Sequence, residues 1–299
     1  MRVFVTGASG YIGGAVVREL LGAGHQVVGL ARSDRAAEAV RGAGAEVLRG
    51  SLQDVNRLRE GAEASDGVIH LAFHDFFRFE ESLAIDRRAI EAMGAALAGS
   101  GRPLLATVAV AGKPGEVSTE DSRSMPGSFG YTRFLNEEAT VALADEGVRA
   151  SVVRLPPTVH GVGDKAFVPV LIGLARERGV SGYPGDGTNV WPAVHRLDAA
   201  RLYRLALEGA PAGTRLNCMA DEGVSTRGIA EVIGRHLSVP TVSVPLEDAE
   251  EHFGFLSHVI SMNAPASSAK TRALLGWEPV HPGLIEDLDE GHYFASARP

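Results

Sequence analysis

Three observations in the sequence predict an α/β protein, a Rossmann-type doubly wound parallel sheet with a smaller C-terminal substrate lobe. Short apolar runs recur at 2–6, 26–30, 45–48, 67–72, 103–110 and 148–155, each with the length and β-branched content of a strand buried on both faces. Amphipathic or alanine-rich stretches with helical spacing separate them, at 11–23, 34–43, 54–63, 80–99 and 129–146. A glycine-rich turn follows the first run directly. Strand-helix alternation of this kind requires parallel strands joined by right-handed crossovers.

After about Leu155 the rhythm breaks. Pro156-Pro157, Gly161, Gly163, Gly182, Pro184, Gly185 and Gly187 mark a loop-rich region around a helix near 167–178. A strand and a helix return over 190–208, 214–218 reads as one more strand, and 221–299 reads as a helical lobe with short strands. The expected division is a dinucleotide-binding domain over 1–160, to which 190–218 returns. A substrate lobe takes 161–189 and 219–299, over the C-terminal strand ends where such folds bind ligands.

The composition narrows the function classes. A net charge of −8 over 299 residues gives no electrostatic argument for nucleic acid or an anionic membrane. Cys218 is the only cysteine, so an intrachain disulfide and a cysteine-based metal site are both excluded. No apolar run reaches the roughly 18–20 residues that span a bilayer, and Met1-Arg2 leads straight into the first strand. These features lead us to expect a cytoplasmic protein with no metal that acts on a small molecule.

The turn reads Thr6-Gly7-Ala8-Ser9-Gly10-Tyr11-Ile12-Gly13 and opens the first helix. Its glycines permit a tight turn, close backbone approach to a pyrophosphate and close helix packing, and the helix N-terminus supplies free N–H groups. Gly7, Ser9, Gly10, Tyr11, Ile12 and Gly13 are therefore expected to hold a dinucleotide. Strand two ends Leu30-Ala31-Arg32-Ser33 without the acidic residue that would bind an adenosine 2′-hydroxyl. Arg32, with Ser33 beside it, suits a 2′-phosphate, which favours NADP over NAD. Asp34 reads as the N-cap of the next helix.

These motifs resemble the short-chain dehydrogenase/reductase superfamily in its extended and atypical branches, the NAD-dependent epimerase/dehydratase-like proteins, over essentially the whole chain. TGASGYIG is similar to that group's TGxxGxxG. Gly50-Ser51-Leu52-Gln53-Asp54 resembles its GDLxD segment, whose start contacts adenine, and His70-Leu71-Ala72-Phe73 resembles the HLAA at the end of strand four. Pro156-Pro157-Thr158-Val159-His160-Gly161 is similar to the segment lining the nicotinamide, and Val194-His195-Arg196-Leu197-Asp198-Ala199-Ala200 to VHVDDVA. The resemblance thus implies further cofactor contacts at Ser51, Leu52, Leu71, Ala72, Phe73, Pro156, Thr158 and Arg133.

The resemblance departs at the active-site motifs. Leu105 to Gly112 resembles the strand-five pattern SSxxxxG, placing Thr107 on the catalytic serine. The expected YGxSKxxxE lines up with Phe129-Gly130-Tyr131-Thr132-Arg133-Phe134-Leu135-Asn136-Glu137. Phe129 then occupies the catalytic tyrosine position and Arg133 the lysine position, beyond even the subgroup with His-x-x-x-Arg. Residues i and i+4 share a helix face, so Arg133 is placed to hold the nicotinamide ribose and supply a fixed positive charge. An arginine guanidinium keeps its proton in proteins, which bars it from shuttling one. Tyr131 lies about 200° round the helix from Phe129, which favours a structural role.

Substitute acids are His74, which with Asp75 follows strand four, and His160 in the nicotinamide segment, since both titrate near neutrality. His195 reads as structural. Tyr183 and Trp191 suggest a partly aromatic pocket. The leading expectation is an NADP-dependent oxidoreductase acting on a carbonyl or alcohol of a small organic molecule. A non-redox isomerase, dehydratase or cyclase and a dinucleotide sensor without catalysis stay open beside it. The resemblance also implies a homodimer through the helices at 80–99 and 129–146, with Ile85, Ala89, Ala92, Met93 and Ala96 on apolar faces.

Overall fold

The structure is a computed structural model and describes residues 1–75, 78–110, 115–127 and 131–295. The elements run β1 (Arg2–Thr6), α1 (Tyr11–Gly22), β2 (Gln26–Ala31), α2 (Asp34–Gly42), β3 (Glu46–Arg49), α3 (Val55–Glu63), β4 (Gly67–His70), α4 (Phe79–Leu97), β5 (Pro103–Ala109), α5 (Tyr131–Ala142) and β6 (Arg149–Leu155). There follow β7 (Thr158–His160), α6 (Phe167–Arg178), β8 (Ser181–Pro184), β9 (Val190–His195), α7 (Arg196–Gly209), β10 (Thr214–Asn217), β11 (Asp221–Ser225), α8 (Thr226–Leu237) and β12 (Thr241–Val244). Short helices α9 (Ala249–Phe253), α10 (Ser257–Ile260), α11 (Ala269–Leu275) and α12 (Leu284–Asp289) complete the chain.

The large sheet has seven strands in the order β10-β6-β5-β4-β1-β2-β3, all parallel. The expected Rossmann-type sheet is thus present, with its order reversing at β1 and β4. Pleating sends alternate side chains to opposite faces, so each strand feeds two cores. Val3 and Val5 pack with Ala15, Val16, Leu20 and Tyr203 under α1 and α7. Phe4, Leu104 and Ala106 pack with Leu58, Ile90 and Met93 under α3 and α4. Gly61 is required there, since a Cβ at that position would lie 2.6 Å from the Phe4 ring.

β9 pairs with β7 and β11 in a separate three-stranded sheet, so α7 and β10 are what return to the large one. With the β8–β12 pair, α6 and α8, this sheet builds a third core around Trp191, Ile229, Phe253 and Leu284. The lobe is tied back through Asp198 on α7, whose carboxylate accepts from the Val280 and His281 amides at 3.0 Å each. The fully buried Trp277 donates its indole N–H to the Asp198 carbonyl at 3.0 Å.

Two expectations change. The N-cap of α2 is Ser33, whose hydroxyl accepts from the Ala36 amide, and Asp34 is instead the first helical residue, ion-paired to Arg49. The shorter serine reaches the free amides from extended backbone, and the acid one residue on sits favourably in the first turn. Ile85, Ala89, Ala92 and Met93 are buried within this chain, and the outward face of α4 carries Glu80, Glu81, Ala84, Arg88, Glu91 and Ala95. The apolar face of α4 is therefore spent on the sheet. Among the described residues no helix is long and apolar enough to cross a membrane.

Candidate functional site

The glycine turn has the shape its sequence implies. Gly7 takes φ +73°, a left-handed conformation that glycine adopts without strain, and the Gly10 amide donates to its carbonyl at 2.9 Å. A Cβ on Gly13 would lie 2.0 Å from the Gly7 oxygen, so α1 packs against the turn only without one. Gly10 caps α1 with no side-chain acceptor, leaving the first-turn amides to an outside anion. Ser9 and Gly10 are exposed and Tyr11 and Ile12 half-buried. The residues present fit a dinucleotide pyrophosphate.

Around the turn, Arg32 is exposed just past the end of β2, next to Ser33. Ser51 and Leu52 follow β3, and the Ser51 hydroxyl accepts from the Gln53 amide at 3.3 Å. Leu71, Ala72 and Phe73 leave β4 half-buried, and a Cβ on Gly7 would come within 2.8 Å of the Ala72 nitrogen. This segment therefore lies directly against the turn. Pro156 and Thr158 are buried beyond β6, and the Thr158 hydroxyl has no hydrogen-bond partner among the described residues.

A buried polar chain runs beneath it. Thr6 donates to His70 Nδ1 at 2.6 Å, and His70 Nε2 then donates to Asp86 Oδ1 at 3.0 Å. Asp86 Oδ2 accepts from the Asn136 amide at 2.8 Å, joining β1, β4, α4 and α5. Thr107, at the end of β5, donates its hydroxyl to the His70 carbonyl at 2.8 Å and lies 2.8 Å from the Tyr203 hydroxyl. A hydroxyl has one proton, so Tyr203 must be the donor in that second bond. Tyr203 is fully buried, and burial pushes its pKa far above the ordinary tyrosine value.

Arg133 comes from α5 and lays its guanidinium over the Phe73 ring, 4.7 Å from the centroid. Among the described residues it has no hydrogen-bonded or ion-paired partner. Burial lowers its pKa from the usual arginine value, opposed by the negative field of Asp86 and by Tyr203. The guanidinium nonetheless stays a cation. Phe129 lies outside the described residues. His74 is half-buried just past Phe73, and the Tyr131 ring lies 6.1 Å from that of Phe134.

His160 is fully buried, with Nδ1 2.8 Å from Asp287 Oδ2 and, among the described residues, no hydrogen-bond partner for Nε2. Its ring packs edge-on against His195, and His195 stacks on His281 at 4.7 Å. Asp287 also takes His292 Nε2 at 2.9 Å, and the Tyr11 hydroxyl donates to the neighbouring Gly161 carbonyl at 3.0 Å. His195 Nδ1 caps α7 by accepting from the Leu197 amide. Donor atoms of His195, Asp198 and His281 lie within 4.8 Å of one another. The Asp198 carboxylate is already engaged by two amides and His281 Nδ1, which makes it a structural clasp. Among the described residues His160 thus makes no hydrogen bond, ion pair or ring contact with Thr107 or Arg133.

Trp191 is fully buried in the lobe core, donating its indole N–H to the Val259 carbonyl, and it borders a small cavity there with Leu171, Ile229 and Phe253. Its position on β9 sends it inward between α6 and α8. Tyr183 is half-buried under Arg227. Sequence reading missed Tyr203, although a signal was present: it falls among Ala199, Leu202, Ala206 and Leu207 on the inward stripe of α7, where a hydroxyl needs a partner.

Residues 3–218 match the NAD dependent epimerase/dehydratase family. An uncharacterised protein of Schizosaccharomyces pombe is 49% identical over 98% of this chain and 100% of its own length. A 4-hydroxy-2-methyl-3-oxo-4-farnesyl-3,4-dihydroquinoline-1-oxide ketoreductase of Stigmatella aurantiaca is 28% identical over 71% of this chain and 66% of its own. The dTDP-glucose 4,6-dehydratase DesIV of Streptomyces venezuelae, solved with NAD bound, superimposes with a TM-score of 0.79 at 18% identity, covering 100% of this chain and 98% of that one. It shares the fold. With a glycine turn built to receive a pyrophosphate and a family match across the large sheet, this chain belongs to the NAD dependent epimerase/dehydratase family.

Proposed function

We propose that the protein is an NADP-dependent oxidoreductase acting on a carbonyl or alcohol of a small organic molecule, with Arg133 as the polarising group. The observation that carries this reading is the unpartnered Arg133 guanidinium, held over Phe73 next to the Gly7 turn. The similarity to a ketoreductase supports it. When bound, the nicotinamide supplies or takes the hydride; in reduction a carbonyl, NADPH and one proton give an alcohol and NADP⁺. Gly7, Ser9, Gly10, Tyr11, Ile12 and Gly13 hold the pyrophosphate, Arg32 and Ser33 the 2′-phosphate, and Ser51 and Leu52 face the adenine. Leu71, Ala72, Phe73, Pro156 and Thr158 lie along the nicotinamide half.

In this reading Arg133 steadies the ribose and stabilises the oxygen on which negative charge develops. The proton comes from His74 or from water, because Phe129 has none to give. Residues 161–189 and 219–299 close over the substrate, and the reaction takes place in the cytoplasm. A homodimer through α4 and α5 would have to use the charged outer face of α4, and light scattering at micromolar concentration measures it.

A titration with NADPH and NADH, followed by a screen of carbonyl compounds at 340 nm, tests the proposal. Loss of nicotinamide absorbance with formation of an alcohol supports it. Product without net absorbance change would establish the isomerase or dehydratase reading. Tight cofactor binding with no turnover would establish the sensor.

A further inference from the structure

Arg133 is a cation with a place but no counterion. No described carboxylate pairs with it, and the segments at 76–77, 111–114, 128–130 and 296–299 contain no Asp or Glu. Asp86 contributes a field, but its two oxygens are engaged by His70 at 3.0 Å and Asn136 at 2.8 Å. A partly desolvated guanidinium left to itself is costly, because the lost hydration is repaid only by a close anion. Ribose hydroxyls of a cofactor are neutral and answer its hydrogen bonds without answering its charge.

The Thr107 hydroxyl is not available for this work. Thr107 spends its one proton on the His70 carbonyl, and Tyr203 donates into its lone pairs. Among the described residues of this group Arg133 is therefore the one fixed positive charge, with a flat, forked donor set matched to two oxygens on one carbon. Phe73 forms the apolar floor beneath it.

We infer that the substrate carries a carboxylate and that Arg133 grips it, so that the carbonyl compound reduced is an oxo acid and the product a hydroxy acid. This inference rests on the oxidoreductase reading for the reaction, but the carboxylate grip stands on the unpaired guanidinium alone.

The test is calorimetric titration of the full chain, saturated with NADP⁺, using matched carboxylates and primary amides: butyrate and butyramide, hexanoate and hexanamide, phenylacetate and phenylacetamide. At least one carboxylate is expected to bind ten- to hundredfold more tightly than its amide. Arg133→Met should abolish that preference and Arg133→Lys should keep most of it, with thermal melting reporting whether each variant folds. Equal binding of acid and amide, no carboxylate binding up to millimolar concentration, or a preference that survives in Arg133→Met would overturn the inference. If Arg133→Met does not fold, the wild-type and Arg133→Lys preferences decide the matter. Carboxylate preference without NADPH-dependent reduction of any oxo acid would sink the oxidoreductase reading and leave the grip intact. Reduction of neutral ketones without that preference would do the reverse.

Discussion

Tyr203 holds Thr107 by a hydroxyl–hydroxyl hydrogen bond of 2.8 Å, and the Thr107 hydroxyl donates in turn to the His70 carbonyl at the same distance. The threonine at the catalytic serine position is thus locked as a strut between β5, β4 and α7. A residue whose only proton is committed to a backbone carbonyl polarises a substrate poorly.

Thr107→Ala is therefore expected to keep the rate with the best carbonyl substrate within about tenfold of wild type, well short of the 10²–10³-fold lost with a true oxyanion donor. Tyr203→Phe should cost about 1 kcal/mol of stability for one buried hydrogen bond and change the rate little. Steady-state rates on folded protein settle this, and a hundredfold fall in Thr107→Ala would mean that Thr107 turns to the substrate.

Arg32→Ala should weaken NADPH by roughly 1.5–3 kcal/mol, about ten- to hundredfold, and leave NADH nearly untouched. Arg32 is exposed and, among the described residues, makes no hydrogen bond or ion pair, so the fold is expected to tolerate its removal. Fluorescence titration with both cofactors reads the difference. Equal losses would refute a 2′-phosphate contact.

Glu137, which anchors the register of the Phe129–Arg133 motif, is 1% exposed and lies between two arginines. Arg154 Nε and Nη2 donate to it at 2.9 and 2.6 Å, and Arg215 Nε donates at 2.8 Å. Arg154 also holds the Thr119, Glu120 and Ser122 carbonyls. Glu137→Ala leaves a fully buried cation without its anion and should cost about 3–5 kcal/mol in denaturant unfolding. A loss below 1 kcal/mol would show that the network relaxes around the gap.

His195 gives a pH signature. Burial first, then the neighbouring His160 and His281, lower its pKa from 6.5 to about 4, so the folded state holds the ring neutral. The unfolded chain takes up that proton between pH 6.5 and 4, and stability contributed by His195 is present above 6.5 and lost as pH falls through this window. Asn caps a helix without titrating, so His195→Asn should remove on the order of 1–3 kcal/mol of the wild-type decline between pH 7 and 4.5. Urea unfolding at the two pH values measures it. Identical declines in both proteins would place the titration elsewhere.

The alternation of strands and helices was legible in the sequence because the pleat and the helical repeat print themselves on every few residues. Expected strands at 26–30, 103–110 and 148–155 fall within a residue or so of Gln26–Ala31, Pro103–Ala109 and Arg149–Leu155. The glycine turn was equally legible, since steric demand at Gly7 and Gly13 admits no other residue. Local periodicity also placed Arg133 on the helix that follows β5, which is α5. It had no means of saying that α7 would bring Tyr203, 96 residues further along the chain, to Thr107 and so take that hydroxyl out of play. Nor did it reveal that His160, His195, His281 and His292, from separate segments, converge on Asp198 and Asp287, or that Trp191 turns into a core. Sequence alone determined the elements and the glycine turn, because those follow from short-range sterics and spacing. Only the tertiary structure decided which polar atoms were already spent and which charge was left without a partner, because hydrogen-bond commitments depend on atoms that meet only when distant segments pack.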